Sequence, residues 1–181
     1  MTAHIGLLRA VNVAGSNMVG MAELRDLLAA LGLSDVQSLL QSGNVVFRSD
    51  AGTPARLEKL LEDAAAKQLG LQTDFFVRTA AEWKKVIAGN PFPGEAVRDP
   101  GHLLVLFTKE APGRAQVTAL QKAITGREVV KGGSRHVYAV YPDGVGRSRL
   151  TTALIERKLE TRCTGRNWNT VLKLRSLAEP S

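Results

Sequence analysis

The chain predicts an α+β fold built from two ferredoxin-like halves, and three features of the sequence lead there. Strand-like and helix-like stretches follow one another as βαββαβ within residues 1–88, the order of a split βαβ sandwich. A stretch rich in proline and glycine, Gly89 to Gly101, then interrupts the pattern with three of the chain's seven prolines. The same order resumes from residue 102 as βαββα, followed by a terminal helix. The expected organisation is an N-terminal half over 1–88, a linker over 89–101 and a C-terminal half with a basic terminal segment over 102–181.

In the first half, His4 to Val11 is an apolar run rich in strand formers, and Asn12 to Gly20 reads as a loop with two Gly and two Asn. Met21, Leu24, Leu27, Leu28 and Leu31 recur at helical spacing up to Gly32. Val36–Leu40 and Val45–Arg48 are short strands separated by Gln41-Ser42-Gly43-Asn44, a tight hairpin by composition. Thr53-Pro54 caps a second helix with proline at its first position, and Leu71 to Arg78 closes the unit as a strand. Thr79 and Glu82 form a capping box for a short helix that carries Trp83.

No element is expected to persist through Gly89–Gly101. Beyond it, His102–Thr108 reads as a strand, Gly113–Ile124 as a helix, Arg127–Lys131 and His136–Tyr141 as strands about Gly132-Gly133, and Leu150–Leu159 as a helix. The terminal helix starts near Asn167.

A formal charge of +7 and a pI near 9.9 favour polyanionic partners such as nucleic acid or nucleotides. The charge is concentrated. Between Gly144 and Arg175 stand Arg147, Arg149, Arg157, Lys158, Arg162, Arg166, Lys173 and Arg175 against Glu156 and Glu160, eight basic residues to two acidic, a net +6. Cys163 is the single cysteine, which excludes an intrachain disulfide and fits a reducing cytoplasm. No apolar run approaches the roughly 20 residues of a membrane span. A cytoplasmic protein with no membrane partner is expected.

Catalytic and cofactor motifs are mostly excluded. Gly144-Val-Gly146-Arg-Ser-Arg149 begins like a dinucleotide fingerprint but ends in Arg and is followed by no strand bearing an acid. It also lacks the Gly-Lys-Ser/Thr ending of a Walker loop. Ser148 lacks the second glycine of a nucleophile elbow, and no Asp or His follows it in the chain. His4, His102 and His136 sit at or near strand starts, unclustered, and read as edge or packing residues rather than metal ligands. Cofactor and metal are therefore expected to be absent, and no motif pairs a base with a nucleophile.

Three polar clusters are left as candidate ligand sites. Arg9, Asn12, Gly15 and Asn17 lie at and beyond the end of the first strand, and Gln41, Ser42 and Asn44 form the hairpin. The third contains Arg166, Asn167, Trp168 and Asn169, with Trp168 either a core residue or a stacking surface. The Gly144–Gly146 turn, read as leading into a helix N-terminus and flanked by Arg147, Ser148 and Arg149, is a fourth, suited to an anion. Turns and helix caps alone also account for these residue types.

Leu8-Arg9-Ala10-Val11-Asn12-Val13-Ala14-Gly15, Leu40-Gln41-Ser42-Gly43-Asn44-Val45-Val46-Phe47 and Arg166-Asn167-Trp168-Asn169-Thr170-Val171 resemble, in order, the three signatures of a bacterial domain-of-unknown-function family, number 1697. The resemblance implies an α+β fold with ferredoxin-like halves and no established activity. The functional expectation is a non-catalytic protein that binds phosphate-bearing ligands, foremost nucleic acid with little sequence preference. The alternatives are an enzyme acting on a small phosphorylated or nucleotide substrate, with Arg9, Gln41 and Arg166 orienting it, and a housekeeping domain whose charge only solubilises.

Overall fold

The structure, a computed structural model, describes residues 1–9, 20–39 and 43–180. Its chain divides into two compact units, Met1–Lys84 with Lys173–Ser181, and Lys85–Leu172.

In the first unit, β1 (Thr2–Leu8) is followed by α1 (Met21–Ala30), β2 (Ser34–Leu39), β3 (Asn44–Ser49), α2 (Pro54–Leu69), β4 (Phe75–Thr79) and the start of α3 (Ala80–Ala88). The four strands form one antiparallel sheet in the order β2-β3-β1-β4. Alternation decides which side chains meet the helices. Leu8, Val45, Phe47, Phe75 and Val77 pack with Leu24 and Leu28 of α1 and Leu57 and Leu61 of α2. Each such side chain contributes about 1.5–3 kcal/mol by leaving water. Thr53 accepts from the Arg56 N–H at 3.3 Å and Pro54 opens α2, as the sequence indicates, while Gly70 at φ +63 ends it. The capping box also forms: Thr79 N–H donates to Glu82 Oε2 at 2.8 Å and Glu82 N–H to Thr79 Oγ1 at 3.0 Å.

The second unit holds the rest of α3, then α4 (Pro93–Arg98), a 3-10 turn (Pro100–His102), β5 (Leu103–Thr108), α5 (Arg114–Ala123), β6 (Val129–Gly132), β7 (His136–Val140), α6 (Thr152–Leu159), β8 (Cys163–Asn167) and the start of α7 (Trp168–Ala178). Its antiparallel sheet has the matching order β6-β7-β5-β8. Leu106, Val137 and Ala139 pack with Leu120 of α5 and Ile155 and Leu159 of α6. The fold is the expected α+β arrangement of two ferredoxin-like halves. Among the described residues no helix is long and apolar enough to cross a membrane.

Two expectations need correction. The second half is a full βαββαβ, because Cys163–Asn167 adds β8 to the edge of β5. Gly165, Arg166 and Asn167 are poor strand formers, so pairing with β5 rather than propensity makes this strand. The 89–101 stretch is not featureless: Pro93 and Pro100 each open a short helical turn, where a fixed φ and a missing N–H are assets.

The two units repeat in detail. Arg78 and Arg166 are each the fourth residue of the last sheet strand, and each bonds the carbonyl just before it, Val77 O at 2.9 Å and Gly165 O at 2.8 Å. Each is followed by a residue that caps the next helix, Thr79 or Asn167. Arg78 is buried 3.9 Å from Glu58 of α2.

His4 is buried in β1, its ring stacked on Phe47 with centroids 5.4 Å apart. Burial lowers its pKa below the ordinary 6.5, so the unfolded chain takes up the proton first as pH falls. The stability supplied by neutral His4 is complete above about pH 6.5 and is lost below it. Chemical unfolding of the wild type should therefore weaken with acid more steeply between about pH 7 and 5 than unfolding of His4→Gln. Parallel pH profiles for the two proteins would contradict this.

Candidate functional site

The segment after β7 is irregular yet fixed at its base. Tyr141 is buried and its hydroxyl donates to Leu150 O at 3.1 Å, joining the two ends of the 142–149 turn. Burial, foremost, raises the Tyr141 pKa and keeps the hydroxyl a neutral donor. Gly144 adopts φ +89, a conformation that side chains disfavour, and its N–H donates to Tyr141 O at 3.0 Å. Ser148 makes the central tie: its hydroxyl donates to Glu128 Oε1 at 2.6 Å and accepts from the Leu150 N–H at 3.0 Å. Ser148 is thus occupied as a structural link.

Arg147 and Arg149 flank this anchored serine and are exposed. With Thr125, Gly126, Glu128, Asp143, Gly144 and Ser148 they line an open cleft of about 300 Å³. Both acids of the cleft are engaged. Glu128 holds Ser148, and Asp143 is gripped by Arg127, whose Nε donates to Oδ2 at 3.0 Å and whose Nη2 donates to Oδ1. The hydrogen bonds from Arg127 hold the Asp143 carboxyl below its usual range. Neither Arg147 nor Arg149 has a carboxylate partner among the described residues. Two guanidiniums, each able to fork around two oxygens, are available to an anion.

The anion site differs from its sequence-based picture in one respect. α6 begins at Thr152, with Thr151 as its cap, so Gly144–Gly146 is not the entry to a helix. The Ser148 N–H bonds Val145 O at 3.2 Å within the turn. The attraction here comes from side chains, not from a helix dipole.

His102, by sequence an edge or packing residue, lies beside this turn. His102 Nδ1 is 2.8 Å from Asp99 Oδ2, and the backbone O of His102 accepts from the Tyr141 N–H at 2.8 Å. The signal was present in Asp99-Pro-Gly-His102, since a proline-opened 3-10 turn brings residues three apart together. His136, by contrast, is the packing residue expected. It is buried, with Nε2 3.0 Å from the Tyr138 hydroxyl, which donates to Val86 O at 2.7 Å.

The other candidates are distributed differently. In the first unit, Arg9 leaves β1 beside the start of β3, where Leu8 N–H bonds Gly43 O at 2.9 Å. Its guanidinium is 3.5 Å from Asp74. Asn44 is fully buried and donates to Leu39 O at 2.9 Å, closing the hairpin. Asn12, Gly15, Asn17, Gln41 and Ser42 lie outside the described residues. In the second unit, Arg166 is buried, with Nη1 donating to Thr164 Oγ1 and Gly165 O, both at 2.8 Å, and desolvation lowers its pKa to about 10. Asn167 Oδ1 accepts from the Thr170 N–H at 3.0 Å as the cap of α7. Trp168 is only 5% exposed, so it fills core rather than offering a stacking face; Asn169 is exposed.

A cleft in the first unit, of about 350 Å³, is lined in part by Asp35, Gln37, Arg48 and Glu179. Its charges are matched, Arg48 lying 3.5 Å from Asp35 and Glu179 lying 3.3 Å from Arg175. The unmatched arginines make the 144–149 turn the stronger site.

Residues 1–138 match the family described as "Protein of unknown function (DUF1697)". The chain is also similar to the solved structure of the conserved bacterial protein SP0830 from Streptococcus pneumoniae, with 26% identity and a TM-score of 0.77 over 98% of this chain and 99% of that one. No curated protein matches.

Replacing Ser148 by Ala removes both ties at the centre of the turn. Thermal unfolding of Ser148→Ala should show a loss of about 1–2 kcal/mol. A stability equal to wild type would mean that the turn is held by other means.

Proposed function

The chain belongs to DUF1697, a family of unknown function, so its activity has to be read from its own side chains, and we propose that it is a cytoplasmic protein that binds phosphate-bearing ligands, foremost nucleic acid with little sequence preference. One observation carries the reading. Arg147 and Arg149 stand exposed on either side of an anchored Ser148, while the acids of the same cleft are engaged by Ser148 and Arg127. A phosphodiester entering there meets two exposed guanidiniums whose charge is not already neutralised by a carboxylate among the described residues. Phosphate contacts of this kind position a strand without reading its bases.

Arg157 is exposed in the last turn of α6, with Lys158 half-buried beside it, and both extend the basic segment. Arg166 is removed from the contact set by its burial.

Counterion release makes such binding salt-dependent, with log affinity falling by about 0.7 to 0.9 per decade of salt for each neutralised phosphate. Arg147→Ala with Arg149→Ala should flatten that slope by about 1.4 to 1.8 and weaken all sequences alike. Fluorescence anisotropy with single- and double-stranded oligonucleotides at several salt concentrations measures both quantities. Absence of binding at low salt would remove the reading.

A further inference from the structure

A carboxylate can only accept hydrogen bonds, so the 2.8 Å contact with Asp99 Oδ2 places the ring proton of neutral His102 on Nδ1. Nε2 is then left with its lone pair. It has no hydrogen-bond partner among the described residues, and the side chain is 42% exposed. Nε2 lies beside the neighbouring turn: a methyl group at Gly144 would stand 3.8 Å from it. His102 is therefore an oriented acceptor at the Gly144 end of the turn whose other end carries Arg147 and Arg149.

The two ends ask for different chemistry. The arginines offer only donors and suit phosphate oxygens. A phosphodiester has no proton to give, so the lone pair on Nε2 finds no partner in it and is repelled by its charge. A ligand that satisfies both ends carries a hydroxyl close to its phosphate. In nucleic acid that group is the ribose 2′-hydroxyl, present in RNA and missing from DNA.

We propose that the Asp99–His102 pair accepts a hydrogen bond from a ribose 2′-hydroxyl and so makes RNA the preferred strand. Asp99 acts as a positioning residue, fixing the tautomer and the ring, while His102 touches the ligand. The inference rests on the phosphate-binding reading above and adds to it the class of nucleic acid.

The test compares one single-stranded sequence made as RNA, as DNA and as 2′-O-methyl RNA, titrated at low salt and about pH 8. The wild type should bind RNA about three- to tenfold more tightly than either of the others, the effect of one net hydrogen bond. The methylated strand keeps the ribose and its ether oxygen but puts a methyl group where the donor proton was, and the DNA strand controls for that added bulk. His102→Ala should bring the three affinities together without abolishing binding, and Asp99→Ala should narrow the gap by releasing the ring. Equal affinities in the wild type, or an RNA preference that survives His102→Ala, would overturn the inference and leave phosphate binding intact. Failure to bind all three strands would overturn both. The wild-type comparison of RNA with its methylated form holds even if a variant folds poorly.

Discussion

In each unit two strands are paired along both edges, and the register of the one that joins the edge strand of the last βα step decides where everything else can be. β1 lies between β3 and β4, and β5 between β7 and β8. Their peptide groups are satisfied within the sheet while Ile5, Leu7 and Leu8, or Val105, Leu106 and Phe107, leave water on both faces. A slip of one residue would exchange those faces, so the register is strongly specified. It also builds the candidate site. Leu103 is registered with Val140, and the next step of the ladder joins His102 to Tyr141. The turn that follows Tyr141 is thereby laid beside the Asp99–His102 pair.

Much of this was legible where local chemistry and global fold agree. The Thr53-Pro54 cap, the Thr79–Glu82 box and Leu24, Leu27 and Leu28 of α1 state their roles through spacing alone, and the structure uses each one that way. What was not legible depends on pairing across the chain. β8 has little strand propensity and exists because β5 offers it an edge. Asp99 and His102 look unrelated until a proline turn folds one onto the other. The tie that fixes the 142–149 turn is of the same kind, since Ser148 bonds Glu128, which is 20 residues away in sequence.

The basic segment shows why a charge count is not a surface. Of its cations, Arg166 is buried and committed to backbone and Thr164 oxygens, and Arg175 lies 3.3 Å from Glu179. The net +6 of the sequence overstates what a ligand meets. Arg147 and Arg149 matter because the neighbouring acids are bound elsewhere and because Ser148 holds the backbone between them. Guanidiniums held on a fixed turn lose less freedom on binding than the same groups on a loose one.

The most direct measurement is an NMR titration of the 15N-labelled protein with a short oligoribonucleotide, following backbone amides and the arginine Nε–H signals. The account predicts that the largest shifts fall on Gly144 to Arg149, with His102 following, and that the Arg147 and Arg149 side chains respond together. Shifts confined to the Asp35 and Arg48 cleft of the first unit, with the 144–149 turn unmoved, would contradict it.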